Sequence, residues 1–581
     1  MSKTRNWGHG AVFSAAIWAG AGMVSAAEGI ETDAATLKAQ WETYGQYSVS
    51  SPVDLAPMRA TDEATGADGA TYRLTSLHPA VNRWYLLEFR PAQGLPVQTY
   101  HLENADAAVW TLSLNDADAP AIMVSGNGGE VACRPWDGAP SALQVASQSG
   151  LPYAPMCNGA VYLRNEVAGS RTNREAVSDF LRDHVVFGDK LVNLIKGAFF
   201  EDAFLEDAET VEGDAGDAVA ALGQARLDRQ PIMRPNWSIE VDGADNGLEA
   251  GAWYGVTGVK GVYGSVMKPG YISQEITSER NGANWIDGVE QNADVYLVAF
   301  DLSQLELGYE LGTDHPNLNW SSRPRRTGND WNIPGPDGFA RAAPLVRNGM
   351  LNPSHTSRAV GAFAGGFKRD HGAFRFGDYA TFNKGHHYGF ISNGVTFSKL
   401  IPNLATLYVT VEGEVGMKTW TEADADMIPN LQFARQNGVP LVVRDPDTGA
   451  SVPGDRVTSW GGGNWSGSAE AELRTLRAGT CLKEAGDRKF LLYGYFSTAT
   501  PSGMARTFQA YDCDYGMLLD MNSPELTYLA VYKQNDEGDG LTPMHLNRYM
   551  AESDPWANNQ QIPRFVGFAD NRDFFYLLRK E

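Results

Sequence analysis

The chain reads as an α+β protein, and three observations carry that reading. Residues 28–170 hold short strand-like runs broken by Pro, Gly, Asn and Asp. Residues 171–230 switch to helical spacing and then to an acidic run. Residues 231–581 mix apolar strands with a short helix. At 581 residues the chain is too long for one ordinary core. The expected parts are a signal peptide (1–27), a β-rich domain (28–170), a helical segment with an acidic linker (171–230) and a mixed α/β domain (231–581).

The first 27 residues have the form of an export signal. Lys3 and Arg5 supply positive charge, Ala11 to Ala19 an apolar core, and Ser25-Ala26-Ala27 the small residues of a cleavage site. Export to a periplasm or the cell exterior is expected. No second apolar run of spanning length follows, so no integral membrane segment is expected in the mature chain. With 47 basic against 70 acidic residues, the formal charge of -23 offers no basic field for phosphate counterions, which excludes nucleic acid as a partner. The mean hydropathy of -0.32 fits a globular chain.

In the β-rich part, Tyr72-Arg73-Leu74, Arg83 to Phe89 and Val109 to Leu114 are the clearest strands. Thr172 and Glu175 have capping-box form, and Val177, Phe180, Leu181 and Val185 recur at helical spacing. From Glu201 to Asp217 the density of Asp and Glu, punctuated by Gly213 and Gly216, reads as a solvated linker. Four cysteines in an exported chain favour disulfides, although their connectivity is not fixed by sequence. Local pairing, Cys133 with Cys157 and Cys481 with Cys513, is the expectation. No Cys/His spacing suggests a metal, and no cofactor is expected.

The last part carries the chemistry. Ala359 to Ala364 suits a buried strand, and Gly365-Gly366 breaks it where a ligand could approach bare amides. Lys368, Arg369, Asp370 and His371 follow, as donors for an anion or simply as solvated charges in a turn. Val295 to Phe300, Leu302 to Leu311, Leu407 to Val411 and Lys489 to Tyr495 read as strands, and Asn393-Gly394 as a hairpin turn. Met504 to Asp512 reads as a short helix, and Tyr515 to Leu519 as a strand ending in the carboxylate of Asp520. His386 and His387 would face opposite ways in a strand, which argues against one shared metal site. The glycine-rich loop carrying Trp465 lacks the Gly-Lys-Ser/Thr of a P-loop. It would either close over a sugar or serve as a surface connection.

In order, Ala364-Gly365-Gly366-Phe367-Lys368, Tyr388 to Gly394, Arg474-Thr475 with Gly479, Leu491 to Tyr495, Ser502-Gly503-Met504 and Leu519-Asp520-Met521-Asn522-Ser523 resemble the phosphodiester glycosidase domain family. The resemblance spans roughly Asp294 to Tyr532. It departs from the family at Ala364, where the family has Asn, at Lys368, and at Met521-Asn522, which replace a glycine run.

The resemblance implies a hydrolase acting on phosphate-linked or acidic cell-envelope glycans, or a catalytically silent glycan-binding or envelope-assembly protein that keeps the fold. Cleaving a sugar phosphodiester needs an acid or base and charge neutralisation. Asp520 is the first catalytic candidate, with Asp370 and His371 as secondary ones. Arg474 or Arg477 is the guanidinium for phosphate, and Gly365, Gly366, Lys368, Trp465 and Asn522 complete the expected substrate-binding set.

Overall fold

The strand Val295–Asp301 is apolar at every position up to Phe300 because both of its faces are covered. Tyr296, Val298 and Phe300 enter one hydrophobic cluster, while Val295, Leu297 and Ala299 enter another. The strand sits inside an eight-stranded sheet. From edge to edge its members are Tyr254–Gly255, Val262–Met267, Val295–Asp301, Arg488–Ala499, Thr475–Ala485, Tyr515–Met521, Val442–Arg444 and Ser451–Pro453.

These observations come from a computed structural model. It describes residues 59–92, 95–126, 128–170, 215–244, 246–279, 282–313, 346–366, 389–398, 400, 402–458, 474–535, 540–557 and 560–581. The described residues all fall in one unit, Thr32–Glu581.

One face of the eight-stranded sheet is closed by the helix Pro501–Ala510, which packs Met504, Ala505 and Phe508 into the second cluster. Thr500 caps this helix by accepting from the Gly503 amide at 3.2 Å, and Pro501 occupies its first turn, where a missing N–H costs nothing. The other face packs against two five-stranded sheets. The first has the order Leu305–Glu310, Phe574–Arg579, Ala359–Ala364, Leu529–Gln534, Leu541–His545.

 The second sheet runs Val395–Ser398, Phe390–Ser392, Leu431–Gln436, Ala405–Thr410, Val415–Thr419. Its hairpin turns at Asn393 and Gly394, both left-handed at φ 49° and 75°, as the Asn-Gly pair leads one to expect.

The α+β expectation is overturned. Among the described residues strands account for 42% and helix for 15%, and the strand pairs are antiparallel. The physical reason lies in the two-sided burial. Antiparallel strands covered on both faces read as continuous apolar runs, the pattern otherwise typical of parallel α/β sheets. Residues 171–214, read as helices and linker, lie outside the described residues. The acidic run does not stay a solvated linker to its end, because Ala215–Leu222 is a helix that buries Ala218 and Leu222.

Residues 59–170 form a six-stranded sheet, ordered Ala60–Thr65, Thr71–Ser76, Trp84–Arg90, Gln98–Asn104, Val161–Arg164, Tyr153–Met156, and a three-stranded one from Thr111 to Cys133. Cys133 bonds Cys157, and Cys481 bonds Cys513, with Cα–Cα separations of 5.6 and 6.0 Å. Both disulfides join the expected partners.

Arg164 ties this part to the rest through a buried polar cluster. Its guanidinium meets Glu103 at 2.6 Å and Glu310 at 3.2 Å, and its Nε donates to Asn348 Oδ1 at 2.9 Å. Glu103 also accepts from Asn352 Nδ2 at 2.6 Å and from Trp84 Nε1 at 3.1 Å. The Arg164 guanidinium lies over the Trp84 ring, 4.5 Å from its centroid.

Candidate functional site

The Ala359–Ala364 strand delivers Gly365-Gly366 to the end of the strand that carries Asp520. Gly366 is left-handed at φ 106°, and a Cβ there would stand 2.9 Å from the Asp520 amide nitrogen. Only glycine permits both the conformation and the approach. A Cβ on Gly365 would stand 2.5 Å from Asp573 Oδ2, so the second glycine is also needed for close packing.

Asp520 leaves its strand at an irregularity. Arg477 pairs with Met521 and Gly479 with Leu518, which places one extra residue on the Tyr515–Met521 strand. Such a bulge re-aims a side chain. Asn437 Nδ2 donates to the Leu519 carbonyl at this point, at 3.3 Å. The Asp520 carboxylate is nearly buried, at 7% exposure. Its Oδ2 meets Arg572 Nη1 at 2.7 Å, and its Oδ1 accepts from the Met521 amide at 2.8 Å.

A second buried ion pair stands under Gly365. Arg435 Nε meets Asp573 Oδ2 at 2.9 Å, and its Nη2 donates to the Gly365 carbonyl at 2.8 Å. The Gly365 amide in turn donates to the Asp573 carbonyl at 2.9 Å. Tyr309 donates its hydroxyl to Asp573 Oδ2 at 2.9 Å, and burial, reinforced by Asp573, holds that phenol well above its ordinary pKa. The loop bearing Arg572 and Asp573 is braced by Arg564, which grips Asp570 at 2.8 and 3.1 Å, while Asp570 Oδ1 accepts the Arg572 amide at 2.9 Å.

Gly365, Gly366 and Asp520 therefore come together. Arg477 does not join them. It is fully buried on the opposite face of the sheet, where its Nε donates to the Ala499 carbonyl at 2.8 Å and its Nη1 lies 3.6 Å from Met521 Sδ. Desolvation pushes its pKa down to about 10, with the Glu290 charge opposing. Arg474 is on the surface, paired with Asp287. Asn522 is exposed and left-handed at φ 88°, and its Oδ1 accepts from Thr475 Oγ1 at 3.1 Å. Lys368, Asp370, His371 and Trp465 lie outside the described residues, as do His386 and His387.

Arg435, Asn437, Arg572 and Asp573 went unnoticed in the sequence. A signal was present in Asp570-Asn571-Arg572-Asp573, a dense polar run set directly against the apolar strand Phe574–Arg579. Among the described residues no group of His, Cys, Asp and Glu is arranged to hold a metal ion.

No family model matches the chain, and no curated protein matches it. Among solved structures, the catalytic domain of zebrafish N-acetylglucosamine-1-phosphodiester alpha-N-acetylglucosaminidase, auto-inhibited by its pro-peptide, is a weak neighbour. It is 9% identical with a TM-score of 0.29, over 62% of this chain and 96% of that one. A hypothetical protein from Synechocystis is 11% identical with a TM-score of 0.24, over 89% of this chain and 99% of that one. Scores this low establish neither a shared fold nor a shared activity.

Proposed function

We propose that the chain is an exported, hydrolase-like protein acting on phosphate-linked or acidic cell-envelope glycans, with Asp520 as its acid or base. One observation carries this reading: the left-handed Gly366 stands against Asp520 while Arg572 holds the Asp520 carboxylate at 2.7 Å. Cleavage of a sugar phosphodiester calls for a carboxylate beside a cation that can neutralise phosphate, and Arg572 with Asp520 supplies that pairing. Arg572 takes the part expected of Arg474 or Arg477. Asp370 and His371 remain assigned as secondary proton-transfer residues, and Lys368 and Trp465 as substrate contacts. The two disulfides fit an oxidising compartment, and among the described residues no helix is long and apolar enough to cross a membrane.

The test is a screen of the purified protein against sugar-phosphodiester substrates, with Asp520→Asn in parallel. Turnover by the wild type and a loss of roughly 100-fold or more in the variant is expected, the scale of general acid–base catalysis. Full activity in Asp520→Asn overturns the assignment. Binding of the same substrates without turnover marks a catalytically silent glycan-binding protein. The engagement of both Asp520 oxygens, by Arg572 and by the Met521 amide, favours this second reading.

A further inference from the structure

Three polar residues in a row, Arg435, Gln436 and Asn437, are fully buried where the strand Leu431–Gln436 ends. A buried polar side chain is tolerated when its donors and acceptors find partners. Arg435 finds them in Asp573 and the Gly365 carbonyl. Gln436 is matched at both ends: its Oε1 accepts the Gly389 amide at 3.1 Å, and its Nε2 donates to Thr406 Oγ1 at 2.9 Å. Asn437 is matched at one end only. Its Nδ2 donates to the Leu519 carbonyl, but among the described residues nothing donates to its Oδ1. A desolvated acceptor left unmatched costs the fold stability.

The place of that oxygen is well defined. The Asn437 amide donates to the Ala405 carbonyl at 3.1 Å, and the Ala405 amide to the Gly438 carbonyl at 2.9 Å. The pleat therefore continues past Gln436, and Arg435 and Asn437 share a face. The peptide unit that Asn437 holds is the one joining Leu519 to Asp520. Gly366 lies against the same unit, since a Cβ there would stand 3.2 Å from the Leu519 carbonyl carbon and 2.9 Å from the Asp520 amide nitrogen. The unmatched acceptor thus sits with Gly366 and Asp520.

We propose that Asn437 Oδ1 accepts a hydroxyl of the glycan and so sets which sugar the Asp520 site takes, a proposal that rests on the glycan reading given above. A carboxamide oxygen is uncharged and only accepts, so its part is recognition and not proton transfer. It takes a neutral hydroxyl and repels the oxygens of a phosphodiester, which have no proton to offer. Arg572, which holds the Asp520 carboxylate at 2.7 Å, attracts those same oxygens. A ligand is thereby directed with its phosphate toward Arg572 and a hydroxyl toward Asn437. Because the acceptor is buried, bulk water does not replace a missing hydroxyl, and a sugar without it is rejected.

Calorimetric titration of the full chain with the 1-phosphates of glucose, galactose and mannose, and with methyl phosphate, tests this. A sugar 1-phosphate should bind more tightly than methyl phosphate. One of its monodeoxy forms should bind roughly tenfold more weakly than the parent, the scale of one buried hydrogen bond. In Asn437→Leu the parent should fall to the level of that deoxy form, while methyl phosphate binds as it does to the wild type. The urea midpoint of Asn437→Leu should equal or exceed the wild type's, because an unmatched acceptor goes together with one hydrogen bond of 3.3 Å. A lower midpoint with unchanged binding makes Asn437 a structural residue and overturns the proposal. So does a wild type that binds no sugar 1-phosphate, or that binds every monodeoxy form like the parent, a comparison that needs no variant. Binding that depends on Asn437, without turnover of any sugar phosphodiester, loses the hydrolase reading and keeps this one. Turnover indifferent to Asn437→Leu does the reverse.

Discussion

A methyl group added at Gly366 would meet the Asp520 amide nitrogen at 2.9 Å and would sit on a backbone at φ 106°. Both effects act against Gly366→Ala, and a non-glycine residue in such a conformation costs about 1–3 kcal/mol. The urea midpoint of that variant should fall accordingly, and a midpoint equal to the wild type's contradicts the close packing described. The glycine pair was legible in the sequence because glycines at a strand end have few other uses. The arginines that serve it were not. Arg435 sits among ordinary residues and Arg572 inside a polar run, and neither shows in the chain its partner, Asp573 or Asp520, which lies 138 or 52 positions away. A buried charge differs from a surface charge only in its surroundings, which the fold supplies. Arg477 shows the converse, since a residue chosen by motif order lies on the face of the sheet turned from Asp520.

At the scale of the element, the strands were legible and their architecture was not. Val295–Asp301, Arg488–Ala499, Tyr515–Met521 and the helix Pro501–Ala510 lie where apolar runs and turn residues put them, within a few positions. Two-sided burial erased the alternation that would have marked them as antiparallel. The Cys481–Cys513 bond ties the Thr475–Ala485 strand to the turn that follows that helix. Its partners are 32 positions apart, and closing a loop of that length contributes about 3–4 kcal/mol on the chain-entropy account. Urea unfolding of a variant with Ala at both cysteines should show that loss, whereas an unchanged midpoint would mean the bond constrains little.

At the scale of the whole molecule, Arg164 joins residues 59–170 to the remaining sheets through two carboxylates. One guanidinium cannot balance both. Glu103 has donors on each oxygen, from Asn352 on one and from Trp84 and Arg164 on the other. Glu310 depends chiefly on Arg164, and burial pushes its pKa up to about 7, with Arg164 opposing and Glu103 adding to the rise. His101, Tyr153 and Tyr576 share these surroundings, and His101 is driven the other way by burial and by Arg164. Because the folded pKa of Glu310 exceeds its ordinary 4.5, the folded chain holds a proton that the unfolded chain releases. Its stabilising effect is complete below 4.5 and is lost as pH rises through about 7. Glu310→Gln should therefore gain in urea midpoint relative to the wild type between pH 5 and pH 8, and a gap that stays constant contradicts this. The place of Phe574–Arg579 has a consequence in time. It lies between Leu305–Glu310 and Ala359–Ala364, yet follows Ala364 by 210 positions, 574 minus 364. At 5–20 residues per second, a ribosome needs roughly 10–40 s to cover that distance. Throughout that interval Gly365 and Gly366 exist without Arg572 and Asp573, so the nascent chain carries the glycines of the site before it can build the site.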